Sequence, residues 1–592
     1  MKQFFKFMFA SFVGTLLTLL LLLFIAIGTI SALVSMAENE QVKLKENTVL
    51  VAKFDNPILD RSPNNPFENF DFMQFKPNQV LGLNDVLKNI EKAAADPNIK
   101  GIYLDLSDLK AGMASIQEIR QKLMQFKASE KFIVAYSEGY SQGAYYLASV
   151  ADEIYLNPEG MVMFKGLMSQ IAFLKGTLEK LEVEAQIIRG PDNKFKSAVE
   201  PLMYDKMSEA NREQMETLLH SAWNEMVAGI SQSRNISVAE LHRIANELAL
   251  NNAESALELR FVDQLVYKDE MLDILREKLG TEEDDKIQSV GLAKYTNAKV
   301  GDETMSRNKL AVIYAIGEIG GGEGSESTIG SEGISRAIRK AREDDKVKAI
   351  VMRVNSPGGS ALASEVIRRE VELAKAEKPF IVSMGDVAAS GGYWISTNAD
   401  YIFAEPNTIT GSIGVFGVIP YLGKMFENKL GMTFDKAMTN TNADFIDVME
   451  PLGDFQRKKI QDEVVAIYHD FTNLVADTRN LTQSYVDSVG QGRVWTGTDA
   501  LNIGLVDALG GLEDAIQMAA EKAGIADDYR LYALPEQKDP FQQIIAGMTG
   551  EARAKSLLKK EFGTYYAYLE YVEKMSNMKG VQARLPFYFT IE

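Results

Sequence analysis

The feature that most constrains this chain is that it repeats itself. Residues 347–354 (VKAIVMRV) match 99–106 (IKGIYLDL), and 379–383 (PFIVS) match 131–135 (KFIVA) at the same spacing. The register then continues without a gap: Tyr393 falls over Tyr145, Ala399-Asp400 over Ala151-Asp152, and Pro406 over Pro158. Upstream, 308–319 (NKLAVIYAIGEI) aligns with 47–58 (NTVLVAKFDNPI) once an insertion in the irregular, Pro- and Asn-rich stretch 59–82 is allowed. Downstream, Gly504-Leu505-Val506-Asp507 lies over Arg260-Phe261-Val262-Asp263. A copy of this length is a whole domain rather than a solenoid unit. Within a copy, β-branched runs alternate with amphipathic stretches. In the first, strands at 99–106 and 131–136 alternate with helices near 84–95 and 115–127, which predicts βα units and a mostly parallel sheet. The expected organisation is two tandem α/β domains, 47–300 and 308–535, joined through a charged stretch at 280–308 that suits a linker.

Two further segments flank the repeats. No charge occurs between Lys6 and Glu38, and Leu16 to Ile27 is apolar apart from Thr18. That span exceeds the ~20 residues that cross a bilayer. Residues 1–46 therefore read as a transmembrane anchor and stalk. Lys2 and Lys6 before the span predict a cytoplasmic N-terminus, with the rest of the chain on the outer side. Ser35-Met36-Ala37 offers a small-x-small cleavage site, so a removed leader stays open. At the other end, 536–592 holds a helix-like segment near 551–576 with Tyr565, Tyr566, Tyr568 and Tyr571, which reads as a packing or subunit face.

The formal net charge of −19 excludes a nucleic-acid partner, since phosphate binding needs concentrated Lys and Arg. It suits basic peptide ends instead. With no cysteine, thiolate nucleophiles and Cys-based metal sites are ruled out. Histidine occurs three times, at 220, 242 and 469, each within a helical pattern that reads as surface or packing.

Comparing the copies position by position isolates chemistry. Gly385-Asp386-Val387-Ala388-Ala389-Ser390-Gly391-Gly392-Tyr393-Trp394 follows a β-branched run and opens a helix. A serine with so little bulk around it can be approached by a substrate backbone, as an acyl-transfer nucleophile must be; the alternative is a turn that only packs helix on sheet. Ser390 falls on Gln142. A second Gly-rich loop, Ser356-Pro357-Gly358-Gly359-Ser360, could present N–H groups to a developing oxyanion, and its counterpart Asp108 to Gly112 has lost that character. Both losses fall in the first copy. A serine also needs a base, and a lysine serves if burial lowers its pKa. Lys196, in Lys196-Ser197-Ala198-Val199-Glu200-Pro201, falls on Ile446 when the Glu-Pro pairs are aligned, so the first copy keeps a lysine and lacks the serine. Lys194 lies two residues away, and a solvated surface role is the alternative for either.

KSAVEP at 196–201, NSPGGS at 355–360, AASGGYW at 388–394 and TGSIGV at 410–415 together resemble the signal peptide peptidase A (protease IV) family in its long, two-repeat, membrane-anchored form. The resemblance implies two domains with the fold shared by the Clp protease and crotonases. It implies a serine endopeptidase with Ser390 as nucleophile and Lys196 as general base. Backbone N–H groups of Gly359 and Gly391 would form the oxyanion hole, and Ser412 would orient the lysine. No metal or cofactor is implied. The substrates would be cleaved signal peptides and other apolar peptides, bound by strand addition beside the Gly-rich loop. The protein would be a homotetramer on the outer face of the bacterial inner membrane. A crotonase-like acyl-CoA enzyme and a non-catalytic membrane scaffold are the rival readings.

Overall fold

A computed structural model describes residues 2–38, 42–63, 70–71, 76–77, 80–190, 193–282, 286–300, 306–526, 528–537 and 581–585. The fold is mixed α/β with parallel sheets. In the first repeat the strands run Gln264–Leu265, Glu153–Leu156, Phe132–Ser137, Ile99–Asp105, Thr48–Ala52 and Ser289–Gly291 across one sheet, every described pairing parallel. The second repeat repeats this order with Tyr401–Ala404, Phe380–Ala389, Val347–Ser356, Lys309–Ile316 and Arg530–Leu534. Its three central strands are buried on both faces, which is why they read as continuous apolar runs rather than alternating ones. The same register shift falls between Thr48 and Val49 and between Lys309 and Leu310, at matching positions.

What the repeats share in sequence turns out to hold the fold. Tyr145 and Tyr393 donate their hydroxyls to the carbonyls of Phe261 and Leu505. Asp152 and Asp400 accept from the N–H groups of Ile133 and Phe380, at the starts of equivalent strands. Asp263 and Asp507 accept from Ile154 and Ile402 and pair with Arg234 and Arg479. These groups staple strand, helix and loop in each copy.

Three expectations need adjustment. The stretch 280–308 is not all linker: Ser289–Gly291 adds to the edge of the first sheet beside Thr48–Ala52, and Val290 is buried there. Alternating exposure along so short a strand left no periodic signal. The strand before Ser390 continues through Ala389, so Gly385 to Ala389 belong to the strand and the helix opens only at Gly391. The strand passes Gly385 with an irregularity, pairing first with Tyr401–Ala404 and then with Ile409–Gly411. Third, part of the irregular 59–82 stretch is pinned in the interior. Asp60 is buried and accepts from Arg353 and Asn355 of the other repeat, while Glu118 accepts from the same Arg353. These ions bridge the two repeats.

A helix runs Lys2–Glu38. Among the described residues no helix is long and apolar enough to cross a membrane. The side chains described there stop at residue 22, so much of the apolar run behind the anchor expectation lies outside them. The tyrosine-bearing segment near 551–576 also lies outside the described residues.

A third sheet brings the copies together. Its order is Gly324–Ser325, Thr328–Gly330, Glu318–Gly320, Gly358–Ser360, Gln582–Arg584, Phe416–Tyr421 and Glu184–Arg189. The last of these comes from the first repeat and pairs antiparallel with Phe416–Tyr421 of the second. This donated strand carries the adjoining residues 193–199 to the second repeat.

Candidate active site

Ser390 sits at the turn between Phe380–Ala389 and the helix Gly391–Ser396, with φ +56° and ψ −112°. That conformation is rare for a residue with a side chain and costs about 1–3 kcal/mol. It is held by hydrogen bonds from Ser390 N to Gly411 O at 2.8 Å and from Trp394 N to Ser390 O at 2.8 Å. The side chain is fully buried.

Lys196 reaches it across the repeat boundary. Its Nζ lies 2.8 Å from Ser390 Oγ and donates to Ser412 Oγ at 2.9 Å and Ser412 O at 3.0 Å. Lys196 is completely buried, and burial pushes its ammonium well below the ordinary lysine range. Lys194 is exposed, lying beside the ring of Phe195. Ser412, itself at φ +51°, is anchored by Ser412 N donating to Arg493 O at 2.7 Å. Among the described residues the three histidines make no bond to this group. His220 bonds the Glu216 carbonyl of its own helix, and His242 accepts from Trp223.

Several residues that hold the lysine carry no signal in the sequence. Gly492, at φ +80°, packs so closely that a Cβ would meet Lys196 Cα, Cβ and Cδ at 2.5–2.7 Å. Gln214 donates to Phe195 O at 3.0 Å and Ser197 Oγ at 2.7 Å, and Asn193 donates to Val415 O at 2.8 Å. The Gly490-Gln491-Gly492 pattern before a strand is the one visible hint. The Gln and Asn bonds join residues distant in sequence, which no local pattern reveals.

The Gly-rich loop forms the other wall. Gly358 has φ +96°, and a Cβ on Gly359 would overlap the backbone of Ile319. The strand Gln582–Arg584 lies antiparallel along this loop, Ala583 opposite Gly359. Ala361 N donates to Val581 O at 3.3 Å and Leu585 N to Pro357 O at 2.7 Å. Bonded pairs alternate in an antiparallel ladder, so Gly359 and Ala583 exchange both bonds and Gly359 N–H faces the Ala583 carbonyl. The same oxygen would lie 3.1 Å from a Cβ on Gly391. Val581 and Ala583 pack with Ile188, Val415, Ile419 and Val464, and Leu585 packs with Leu218, Ala389 and Val494. The group therefore combines a hydroxyl, a buried amine and an extended peptide whose carbonyl meets the Gly359 N–H. Such an arrangement can perform acyl transfer. Among the described residues no cluster of three His, Asp or Glu side chains is placed to hold a metal ion.

The model of peptidase family S49 matches residues 125–282 and 372–526, a segment in each repeat. Protease 4 of Salmonella typhi is 38% identical over 80% of this chain and 77% of its own length. The chain belongs to peptidase family S49. As an S49 member it is a serine peptidase, and its two-repeat organisation agrees with the two matched regions. Protease 4 of Haemophilus influenzae is 39% identical over 74% of this chain and 72% of its own. The chloroplastic serine protease SPPA of Arabidopsis thaliana is 33% identical over 87% and 76%. The acyl-CoA and scaffold readings give way to this peptidase. Among solved structures, ClpP1 from Listeria monocytogenes is similar over 35% of this chain and 94% of that one, with TM-score 0.23 and 16% identity.

Proposed function

We propose that Ser390 and Lys196 are the catalytic dyad of this peptidase, with Gly359 and Gly391 as oxyanion donors and Ser412 as the group that orients the lysine. The carrying observation is the 2.8 Å approach of Lys196 Nζ to Ser390 Oγ in a buried setting. A neutral amine has two N–H bonds and one lone pair. If both N–H bonds go to Ser412, the lone pair faces Ser390.

The reaction then runs in balanced steps. Lys196 takes the Ser390 hydroxyl proton as Oγ bonds to the peptide carbonyl carbon. The carbonyl electron pair moves to oxygen, where the N–H groups of Gly359 and Gly391 stabilise it more than they stabilise the planar carbonyl. Collapse breaks the C–N bond, and Lys196 returns the proton to the leaving amine. Water then attacks the ester carbonyl and loses a proton to Lys196; the C–Oγ bond breaks, Lys196 returns that proton to Ser390 Oγ, and the acid is released.

The substrates in this reading are extended apolar peptides, cleaved signal peptides among them, added as a strand between Gly358–Ser360 and Phe416–Tyr421. The chain's own Gln582–Arg584 supports that binding mode by occupying the position. We place the protein as a membrane-anchored homotetramer with its repeats, of the Clp protease and crotonase type, outside the bacterial inner membrane. The support is the uncharged N-terminal run. Sedimentation in detergent and protease accessibility in spheroplasts test that placement, and a soluble or cytoplasmic protein would end it.

A serine-directed fluorophosphonate probe tests the dyad. The intact protein should be labelled, while Ser390→Ala and Lys196→Ala should lose at least about a thousandfold in labelling rate. Undiminished labelling of Ser390→Ala would refute the assignment.

A further inference from the structure

The strand Gln582–Arg584 gives more than a binding mode, because its register names the subsites. With Gly359 N–H on the Ala583 carbonyl and Gly391 beside the same oxygen, Ala583 stands where the acyl side of a cut peptide would stand. The residue after it, Arg584, then occupies the first position on the leaving side. Arg584 is buried, and its Nη1 donates to Glu318 Oε1 at 3.0 Å. Glu318 begins the strand Glu318–Gly320, whose Ile319 pairs with Gly359 on the edge of the Gly-rich loop opposite Ala583. The carboxylate thus reaches past the oxyanion loop to the leaving-side position.

We propose that Glu318 is a specificity-determining residue that selects peptides carrying Arg or Lys immediately after the bond to be cut. This rests on the dyad reading above and adds a substrate class to it. The physical reason is the cost of an unpaired charge. A cation buried at this position needs a partner, and Glu318 supplies one. An acidic residue there meets like charge, and an apolar one displaces water from Glu318 without replacing its hydrogen bonds. Glu318 is a local carboxylate, so the preference it sets does not depend on the protein's overall negative charge.

Two quenched fluorescent peptides test it, both built on Val-Gln-Ala-Xaa-Leu, with Xaa as Arg or Glu. Wild type should cut after Ala, read by mass spectrometry, with kcat/KM about 10–100-fold higher for the Arg peptide. Glu318→Gln should bring the ratio to within about threefold, and Glu318→Lys should invert it. Fluorophosphonate labelling of both variants at the wild-type rate shows that the dyad is intact. As a readout free of chemistry, anisotropy with Ser390→Ala should give the same order of affinities, abolished by adding Glu318→Gln. Ser390-dependent cleavage with an unchanged Arg-to-Glu ratio in Glu318→Gln overturns the role of Glu318 and leaves the dyad standing. Cleavage elsewhere in the peptide, or neither cleavage nor binding of either peptide, also overturns it. Cleavage that survives Ser390→Ala strikes the dyad reading instead.

Discussion

The two repeats build the same turn and put it to different uses. In the second, Ser390 Oγ lies 3.4 Å from Gly414 O. In the first, Gln142 Nε2 donates to Gly166 O at 3.2 Å, and Gly166 is the counterpart of Gly414. Gln142 Oε1 then accepts from Lys165 N at 3.0 Å and Gly166 N at 3.2 Å, tying that loop to the turn. The first turn is also relaxed: Gln142 already lies in the helix Gln142–Ala148, capped by Ser141 at φ −65°, whereas Ser390 stands before its helix at φ +56°. Backbone strain persists only where there is chemistry for it to serve. The copies part company again in the residues after the donated strand. In the first repeat Lys196 is buried in its neighbour, whereas its counterpart Ile446 is 58% exposed.

The largest perturbation of this division of labour should come from the ions between the repeats. Arg353→Met leaves Asp60 and Glu118 buried without their cation and should cost about 3–5 kcal/mol in urea unfolding. Adding Asp60→Asn and Glu118→Gln should recover part of that loss. A cost under about 1 kcal/mol for Arg353→Met would mean that the repeats are held by other contacts.

Lys196→Met comes next. The pKa of the ammonium is lower in the folded chain than in the unfolded one, so the native state binds fewer protons and the chain gains stability as pH rises between the two values. A Lys196→Met chain should therefore be more stable than wild type near neutral pH, because it no longer has to give up a proton on folding. The gap should close as pH rises toward the ordinary lysine range. A gap independent of pH would contradict a depressed lysine.

The smallest effect belongs to the silent turn. Gln142→Ala strips two backbone N–H groups of their acceptor and should lower stability by about 1 kcal/mol while leaving peptidase activity unchanged. Lost activity would give the first repeat a part in the chemistry beyond Lys196.

Much of this architecture was legible because both copies obey the same local rules. The β-branched runs marked the strands, and shared residues such as Tyr145 and Tyr393 turned out to be staples. Ser390 and Lys196 stood out because each copy had lost the other's residue. What stayed hidden was contact between distant residues: Asp60 and Glu118 on Arg353, Gln214 on Phe195 and Ser197, Glu318 on Arg584. Each looks like an ordinary polar side chain until the tertiary fold supplies its partner. Gly492 is intermediate, a glycine whose necessity appears only once Lys196 lies against it.

In the proposed dyad the amine and the hydroxyl stand 194 residues apart on separately cored repeats. Hydrolytic competence is therefore a report on completed tertiary structure. A half-made chain holds an amine with nothing to activate, and any opening that withdraws Glu184–Arg189 returns Lys196 to water, where it regains its proton. A damaged copy disarms itself before it can harm its neighbours.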